Sequence, residues 1–292
     1  MRGILLRGVG GFFYALDDAG EVHQLRAQAK IRRVRMKPLV GDWVEFEPRC
    51  GEEDGWLKSI EPRRNSLIRP PVANIDLVAL VVATRSPDPD LMLIDRMLVT
   101  ASRLQIRVRL VINKCDLDSA LAEDIARQYR GAQVDPILVS AKTGEGIEQL
   151  RQALRGSVHA FSGQSGAGKS TLLNALYGLQ LETGDLSRKI ERGKNTTRHC
   201  ELIPLQSGGM ALDTPGFSLL ETEVFDPVEL QKAYPEFVPY EGECFFSPCY
   251  HDSEPKCRVL EAVKQGEIDP NRHARYRALL EETKQRWRER YG

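Results

Sequence analysis

The eight residues 163-GQSGAGKS-170 stand between an apolar run, 157-SVHAF-161, and a helix-forming stretch at about 169–177. Gly163, Gly166 and Gly168 let the backbone curl so that its N–H groups point at phosphate oxygens, with Gln164, Ser165 and Ala167 inside the curl. Lys169 can reach the β and γ phosphates, the Ser170 hydroxyl can ligate Mg²⁺, and Thr171 leads into a helix whose N-terminus adds partial positive charge. From average residue usage the pattern arises by chance in roughly one chain of this length in a hundred, and a strand before with a helix after makes chance less credible still. A strand–loop–helix unit of this kind belongs to an α/β sheet. The loop falls past the midpoint of the 292 residues, so strands before it can belong to the same sheet.

The preceding chain supplies it. From 75-IDLVALVVA-83 onward, buried apolar strands alternate with helical segments: 91-LMLIDRMLVTASRL-104, 106-IRVRLVIN-113, a helix near 119–130, and 134-VDPILVS-140. Apolar strands interleaved with helices indicate a parallel sheet. Beyond the loop come the paired runs 200-CELIPL-205 and 208-GGMALD-213, after which strands stop and helical fragments follow, ending in a charged helix, 273-HARYRALLEETKQRWRER-290. Residues 1 to about 62 read differently, as short alternating runs such as 40-VGDWVEF-46 between turn formers, the spacing of a small β-barrel. The segment 62-PRRNSLIRPP-71 has the composition of an exposed linker and marks a boundary.

Asn113, Lys114, Cys115 and Asp116 follow an apolar strand directly, where α/β folds place ligand-binding loops. A carboxylate there accepts both the N1–H and the exocyclic amine of guanine, whereas adenine presents the wrong donors and acceptors. One strand further on, Ser140, Ala141 and Lys142 can contact the base through a backbone N–H and the lysine, although taken by themselves they read better as a helix-start turn. Downstream, 196-TT-197 and 213-DTPG-216 complete the set: Asp213 can hold Mg²⁺ through water, Thr197 can close on the metal, and the Gly216 N–H can meet the γ phosphate.

The segment 244-CFFSPCYHDSEPKC-257 gives C-x4-C-x-H-x5-C. Cys244, Cys249, His251 and Cys257 match one closed, tetrahedral, structural Zn²⁺ site that leaves no position for a water nucleophile. Cys50, Cys115 and Cys200 are scattered singly, as in a reducing compartment. No apolar run approaches the roughly 20 residues of a membrane span, and MRGILLRGVGGFF lacks a signal peptide's apolar core and cleavage site, so a cytoplasmic chain without membrane contact is expected. Lys plus Arg and Asp plus Glu both total 41, so any nucleic-acid contact must come from local patches. One candidate patch is 30-KIRRVRMK-37, for which a solvated loop is an equal reading. The arginines of the terminal helix read as an ordinary salt-bridged face.

In chain order the motifs run NKCD, SAK, GQSGAGKS, TT, DTPG, the usual GTPase set with its last two members moved to the front. That is a circular permutation, which leaves each loop at the same end of its strand. With a barrel before and a Cys/His module after, the chain resembles the small ribosomal subunit biogenesis GTPases of the RsgA (YjeQ) family over nearly its whole length. The resemblance implies a multidomain protein: an RNA-binding OB-fold over 1–64, a circularly permuted P-loop GTPase domain over 65–222, and a helical zinc-binding domain over 223–292. It implies hydrolysis of GTP to GDP and phosphate, with Mg²⁺, stimulated by the small (30S) subunit and its 16S rRNA late in maturation. We expect a monomer. The family often has a histidine in a G-x-H-T-T segment, proposed to act in hydrolysis, where 193-GKNTT-197 has Asn195; His199 lies close by. Phe217 follows Gly216, where the usual GTPase has a glutamine that orients water. The water-positioning group is open between Asn195, His199 and a group from the partner. Two other functions stand beside it: a non-catalytic, GTP-dependent RNA-binding checkpoint in which hydrolysis is negligible and nucleotide state only sets affinity, and an ATP-dependent nucleic-acid enzyme with a fortuitous NKCD.

Overall fold

A computed structural model describes residues 1–28, 37–49, 54–68, 70–178, 200–213 and 224–291, with Asp213 described in its backbone alone. Asn195, Thr197, His199, Gly216, Phe217 and all of 30–37 except Lys37 lie outside the described residues.

Strands β1 (Arg2–Val9), β2 (Phe12–Asp17), β3 (Val22–Ala27), β4 (Trp43–Glu47) and β5 (Gly55–Ile60) form a closed barrel in the order β1–β2–β3–β5–β4. Alternation along the strands sends Ala15, Leu25, Val44, Phe46 and Leu57 inward, where each is fully buried. The β3–β5 pair is parallel and the other pairs are antiparallel, with β4 returning onto β1.

The stretch expected to be an exposed linker is tied down instead. Ser66–Leu67 (β6) pairs antiparallel with Val72–Ala73 (β7). The Arg63 guanidinium donates to both carboxylate oxygens of Asp42, at 2.7 and 2.8 Å, and Asp42 is wholly buried. Asn65 brackets Ile75, accepting from its N–H and donating to its carbonyl. Composition suggested a linker because Arg, Asn and Pro are common there; these side chains are used as backbone clasps.

The α/β part runs β8 (Leu77–Ala83), α1 (Leu91–Arg103), β9 (Arg107–Asn113), α2 (Ser119–Gln128), β10 (Ile137–Leu138), α3 (Ile147–Leu154), β11 (Val158–Gly163), α4 (Lys169–Tyr177), β12 (Glu201–Pro204) and β13 (Met210–Asp213). The sheet order is β10–β9–β8–β11–β13–β12. All seven residues of β8 are buried, as both-face burial in such a sheet requires. Pairs β9/β10 and β11/β13 are parallel, whereas β12 is antiparallel to β13. Of the run expected as a strand over 134–140, only Ile137–Leu138 is regular strand, although Val134 accepts the Leu110 N–H and Val139 donates to the Ile112 carbonyl, both on β9.

After the sheet come 3₁₀ segments Pro227–Ala233 and Pro235–Tyr240, then α5 (Arg258–Gln265) and α6 (Pro270–Tyr291). Tyr234, Phe237 and Tyr276 form their aromatic centre, with ring centroids 4.8 to 5.3 Å apart. The α6 arginines are more than a surface face. Arg272, 2% exposed, donates to Asp95 of α1 at 2.6 Å and to Glu236 at 2.8 Å, while Arg275 donates to the other Asp95 oxygen at 2.6 Å. Exposed pairs such as Arg277–Asp252 do occupy the rest of the helix. Among the described helices, none is long and apolar enough to cross a membrane. The described residues group into two compact units, one of Met1–Val78, Leu154–Phe161 and the described part of Asp185–Ser218, the other of the remainder.

Candidate functional site

The phosphate loop leaves β11 at its C-terminal end, where open α/β sheets expose their ligand crevice. Its glycines are required by geometry. Gly163 has φ +137°, and a Cβ there would lie 2.1 Å from the Val81 carbonyl oxygen; Gly168 has φ +93°, and a Cβ would lie 2.4 Å from Asn113 Nδ2. No residue with a side chain fits either place without displacing the neighbouring strand end. Gly168 is the N-cap of α4 and no side chain caps it, so the first-turn N–H groups stay available to an anion. Lys169 donates to the carbonyls of Gly163 and Gln164 at 2.9 and 2.8 Å, and burial pulls its ammonium below the usual lysine range. Ser170 is half-buried beside it, while Ser165, Gly166 and Thr171 are exposed and Ala167 is buried.

The loop after β9 converges on this one. Asn113, 1% exposed, donates from Nδ2 to the Ala167 carbonyl at 2.8 Å, and its Oδ1 accepts the Ala141 N–H at 3.3 Å. Lys114 donates to the carbonyls of Gly166, at 2.9 Å, and Ser86. Asp116 and Lys142 are exposed at the same end of the sheet, free to face a planar base. Ser140 is buried, its hydroxyl accepting the Thr143 N–H at 3.1 Å. Cys115 turns the other way: it is buried, with its thiol 3.6 Å from Glu145, and burial followed by that carboxylate raises its pKa. Of Asp213 only the backbone, at the end of β13, is described.

Sequence reasoning did not single out the loop between β8 and α1. Thr84 donates to the Lys114 carbonyl at 2.6 Å, Gln164 Oε1 accepts the Asp90 N–H at 3.3 Å, and a Cβ on Gly166 would touch Pro87 at 3.3 Å. The signal was 84-TRSPDPD-90, a turn-forming run at the C-terminal end of a buried strand.

In the C-terminal module, ligand atoms of Cys244, Cys249, His251 and Cys257 all lie within 4.8 Å of one another. Cys244 Sγ is 3.8 Å from Cys257 Sγ and 3.7 Å from His251 Nδ1, and a tetrahedron with Zn–S bonds of about 2.3 Å has edges of about 3.8 Å. His251 Nε2 donates to Gln231 Oε1 at 2.8 Å, which leaves Nδ1 as the ligand atom, and Cys244 Sγ accepts the Arg258 N–H at 3.4 Å. Burial pushes the Cys249 and Cys257 thiols upward, so without a cation these two sulfurs favour the protonated form. The set fits a zinc ion, which these four residues would hold.

Three comparisons agree with this geometry. The profile for the RsgA GTPase matches residues 60–223, and that for the RsgA N-terminal domain matches residues 2–57. The small ribosomal subunit biogenesis GTPase RsgA of Ruminiclostridium cellulolyticum is 43% identical, covering 97% of this chain and 93% of that protein. RsgA of Geobacillus thermodenitrificans is 43% identical, covering 98% of each. YjeQ from Thermotoga maritima superposes with a TM-score of 0.83 at 35% identity, covering 97% of this chain and 98% of that one. YloQ, described as a circularly permuted GTPase, gives 0.82 at 34% identity, covering 98% and 95%. With both RsgA profiles matched and relatives of this identity over nearly the full length, the chain belongs to the RsgA family of small ribosomal subunit biogenesis GTPases.

Proposed function

We propose that this GTPase hydrolyses GTP to GDP and phosphate when it docks on the small (30S) ribosomal subunit, late in that particle's maturation, through contacts to 16S rRNA. The observation that carries the site is the convergence on Asn113, whose amide ties the phosphate loop and the Ala141 turn to the end of β9. Asn113, Lys114, Cys115 and Asp116, with Ser140, Ala141 and Lys142, form the guanine side. The loop Gly163–Thr171 forms the phosphate side, its N–H groups and Lys169 meeting the β and γ phosphates. Asp213 and the Gly216 N–H close the γ-phosphate end.

Ser170 and Thr197 would hold Mg²⁺, whose oxygen preference their hydroxyls suit and which supplies neutralising charge to the phosphates when bound. In Lys169, the bonds to Gly163 and Gln164 hold the ammonium over the loop until phosphate oxygens compete for it. Asn195 or His199 orients the attacking water, unless the ribosomal partner does. With Phe217 unable to hydrogen-bond a water, turnover of the protein alone is slow. Residues 1–64 and 223–292 serve as grips around the GTPase domain of 65–222, and the zinc ion folds the last of these. We read the protein as a cytoplasmic monomer.

The test is GTP turnover measured alone, with purified small subunits and with large subunits. Small subunits should raise kcat substantially and large subunits should not. Equal turnover in all three, by protein shown to bind GTP, would refute the triggered mechanism.

A further inference from the structure

Asp116 lies in a tight turn whose first residue, Lys114, has a left-handed backbone with φ +60°. A residue with a side chain keeps that conformation only where its surroundings fix it. The turn closes on itself through the Leu117 N–H, which donates to the Lys114 carbonyl at 2.9 Å. Three consecutive residues after β8 hold it from outside. Thr84, wholly buried, donates its hydroxyl to the same Lys114 carbonyl at 2.6 Å and its N–H to the Asn113 carbonyl at 3.1 Å. Arg85 donates at 2.9 Å to Asp118, whose other carboxylate oxygen accepts the Leu121 N–H and caps α2. The Ser86 carbonyl accepts the Lys114 ammonium. Asp116 therefore sits between two anchored points, Lys114 and Asp118, while its own side chain is exposed.

We infer that Thr84 is a positioning residue for guanine selection: its hydroxyl fixes the Lys114 carbonyl, and with it the direction in which the turn presents the Asp116 carboxylate to the base. The inference rests on the reading of Asp116 as the group that meets guanine, and adds what aims it. The Lys114 carbonyl already accepts the Leu117 N–H, so the Thr84 bond is not needed to satisfy an orphaned acceptor. What it adds is direction. A carboxylate serves the N1–H and the exocyclic amine together only when both oxygens line up with both donors. If the turn tilts, rotation of the side chain recovers one of these bonds but not the pair. Loss of the Thr84 hydroxyl should therefore fall on the second bond, the one that separates guanine from a base without the amine. Arg85 contributes less, because its pair with Asp118 is half exposed.

The test compares dissociation constants for GDP and IDP, whose base lacks the exocyclic amine, in the full chain with Mg²⁺ present. The wild type should prefer GDP by roughly 10- to 150-fold, the worth of one hydrogen bond to a charged group. Thr84→Val keeps the shape without the hydroxyl, and should cut that ratio roughly 3- to 10-fold, with the loss on GDP and IDP affinity nearly held. Thr84→Ala should do the same. Thr84→Ser, which keeps the hydroxyl, should retain the wild-type ratio. Equal falls in GDP and IDP affinity would assign Thr84 to the scaffold alone and overturn the inference. So would an unchanged ratio in both Thr84→Val and Thr84→Ala, or a ratio in Thr84→Ser as low as in Thr84→Val. Absence of a urea unfolding transition in both hydroxyl-free variants likewise makes the hydroxyl a scaffold group and overturns it. A wild type that binds GDP and IDP alike overturns the reading of Asp116 and this inference together.

Discussion

Asn113 and Ala167, 54 residues apart in the chain, are joined by a buried hydrogen bond of 2.8 Å from the Asn113 amide to the Ala167 carbonyl. The same side chain accepts the Ala141 N–H, so one amide fixes the mutual position of three loops. Asn113→Ala removes both bonds and leaves a buried carbonyl unsatisfied, at a cost of about 1–3 kcal/mol. The expected outcome is weaker GTP binding together with faster amide exchange in residues 163–168, while the barrel strands keep their protection. Gly168→Ala should do more damage, since its Cβ would strike Asn113 Nδ2 in a left-handed backbone.

Asp116 stands exposed three residues after Asn113, and among the described residues its carboxylate is in no ion pair. If it reads guanine through two donors, Asp116→Asn should exchange the preference from guanosine to xanthosine nucleotides, because the amide then meets a carbonyl where the amine was. Competition between GTP and XTP measures the switch. Unchanged GTP affinity would remove Asp116 from base recognition.

The phosphate loop and the Cys₃His cluster were legible because each is a short pattern whose spacing alone sets its geometry. The α/β alternation was legible in β8, where every residue is apolar. The clasp of Asp42 by Arg63 and the Asp95–Arg272 pair were not, because a single charged residue carries no periodic signal for a partner 177 positions away.

Arg272 is the test of how the C-terminal helix is held. It spans Asp95 and Glu236, meeting the latter at Oε1, and Glu236 Oε2 is buried with no hydrogen-bond partner among the described residues. Arg272→Met strands Glu236 and strips Asp95 of one of its two guanidiniums, so a loss of about 3–5 kcal/mol is expected. Urea unfolding gives the size. Adding Glu236→Gln to Arg272→Met should recover part of the loss, since the stranded charge is then gone.

His159 on β11 makes stability depend on pH. It is wholly buried, within 3.2 Å of both the hydroxyl and the carbonyl of Ser157, and burial holds its pKa at about 4 against an ordinary 6.5. Between those values the unfolded chain binds a proton that the folded chain refuses. Stability therefore rises with pH from about 4 to 6.5, by about 3 kcal/mol from this group, and is flat above. Measured by urea unfolding, His159→Gln should flatten that segment of the profile. An unchanged slope would place the pH dependence elsewhere.

Gln231 offers a way to separate zinc binding from the thiols themselves. Its Oε1 accepts from His251 Nε2 at 2.8 Å, and its Nε2 donates to the Val228 carbonyl at 2.9 Å, which fixes the direction of the amide. The imidazole is thereby held with Nδ1 toward the three sulfurs, 3.3 Å from Cys257 Sγ. Cys249→Ser or His251→Ala should release the metal, about one per chain in the wild type, and loosen the segment that packs Phe237 and Tyr276, as a chelator should. Gln231→Leu keeps all four ligand atoms and loses only the orienting bond, so it should retain metal with an affinity lowered by roughly 10- to 100-fold. Metal content after graded chelator dialysis resolves the three cases. Loss of metal by Cys249→Ser but an unshifted titration in Gln231→Leu would mean that backbone turns alone orient His251. Metal-free wild type with the aromatic centre intact would show that the cluster holds its fold through the side chains around it, without a cation.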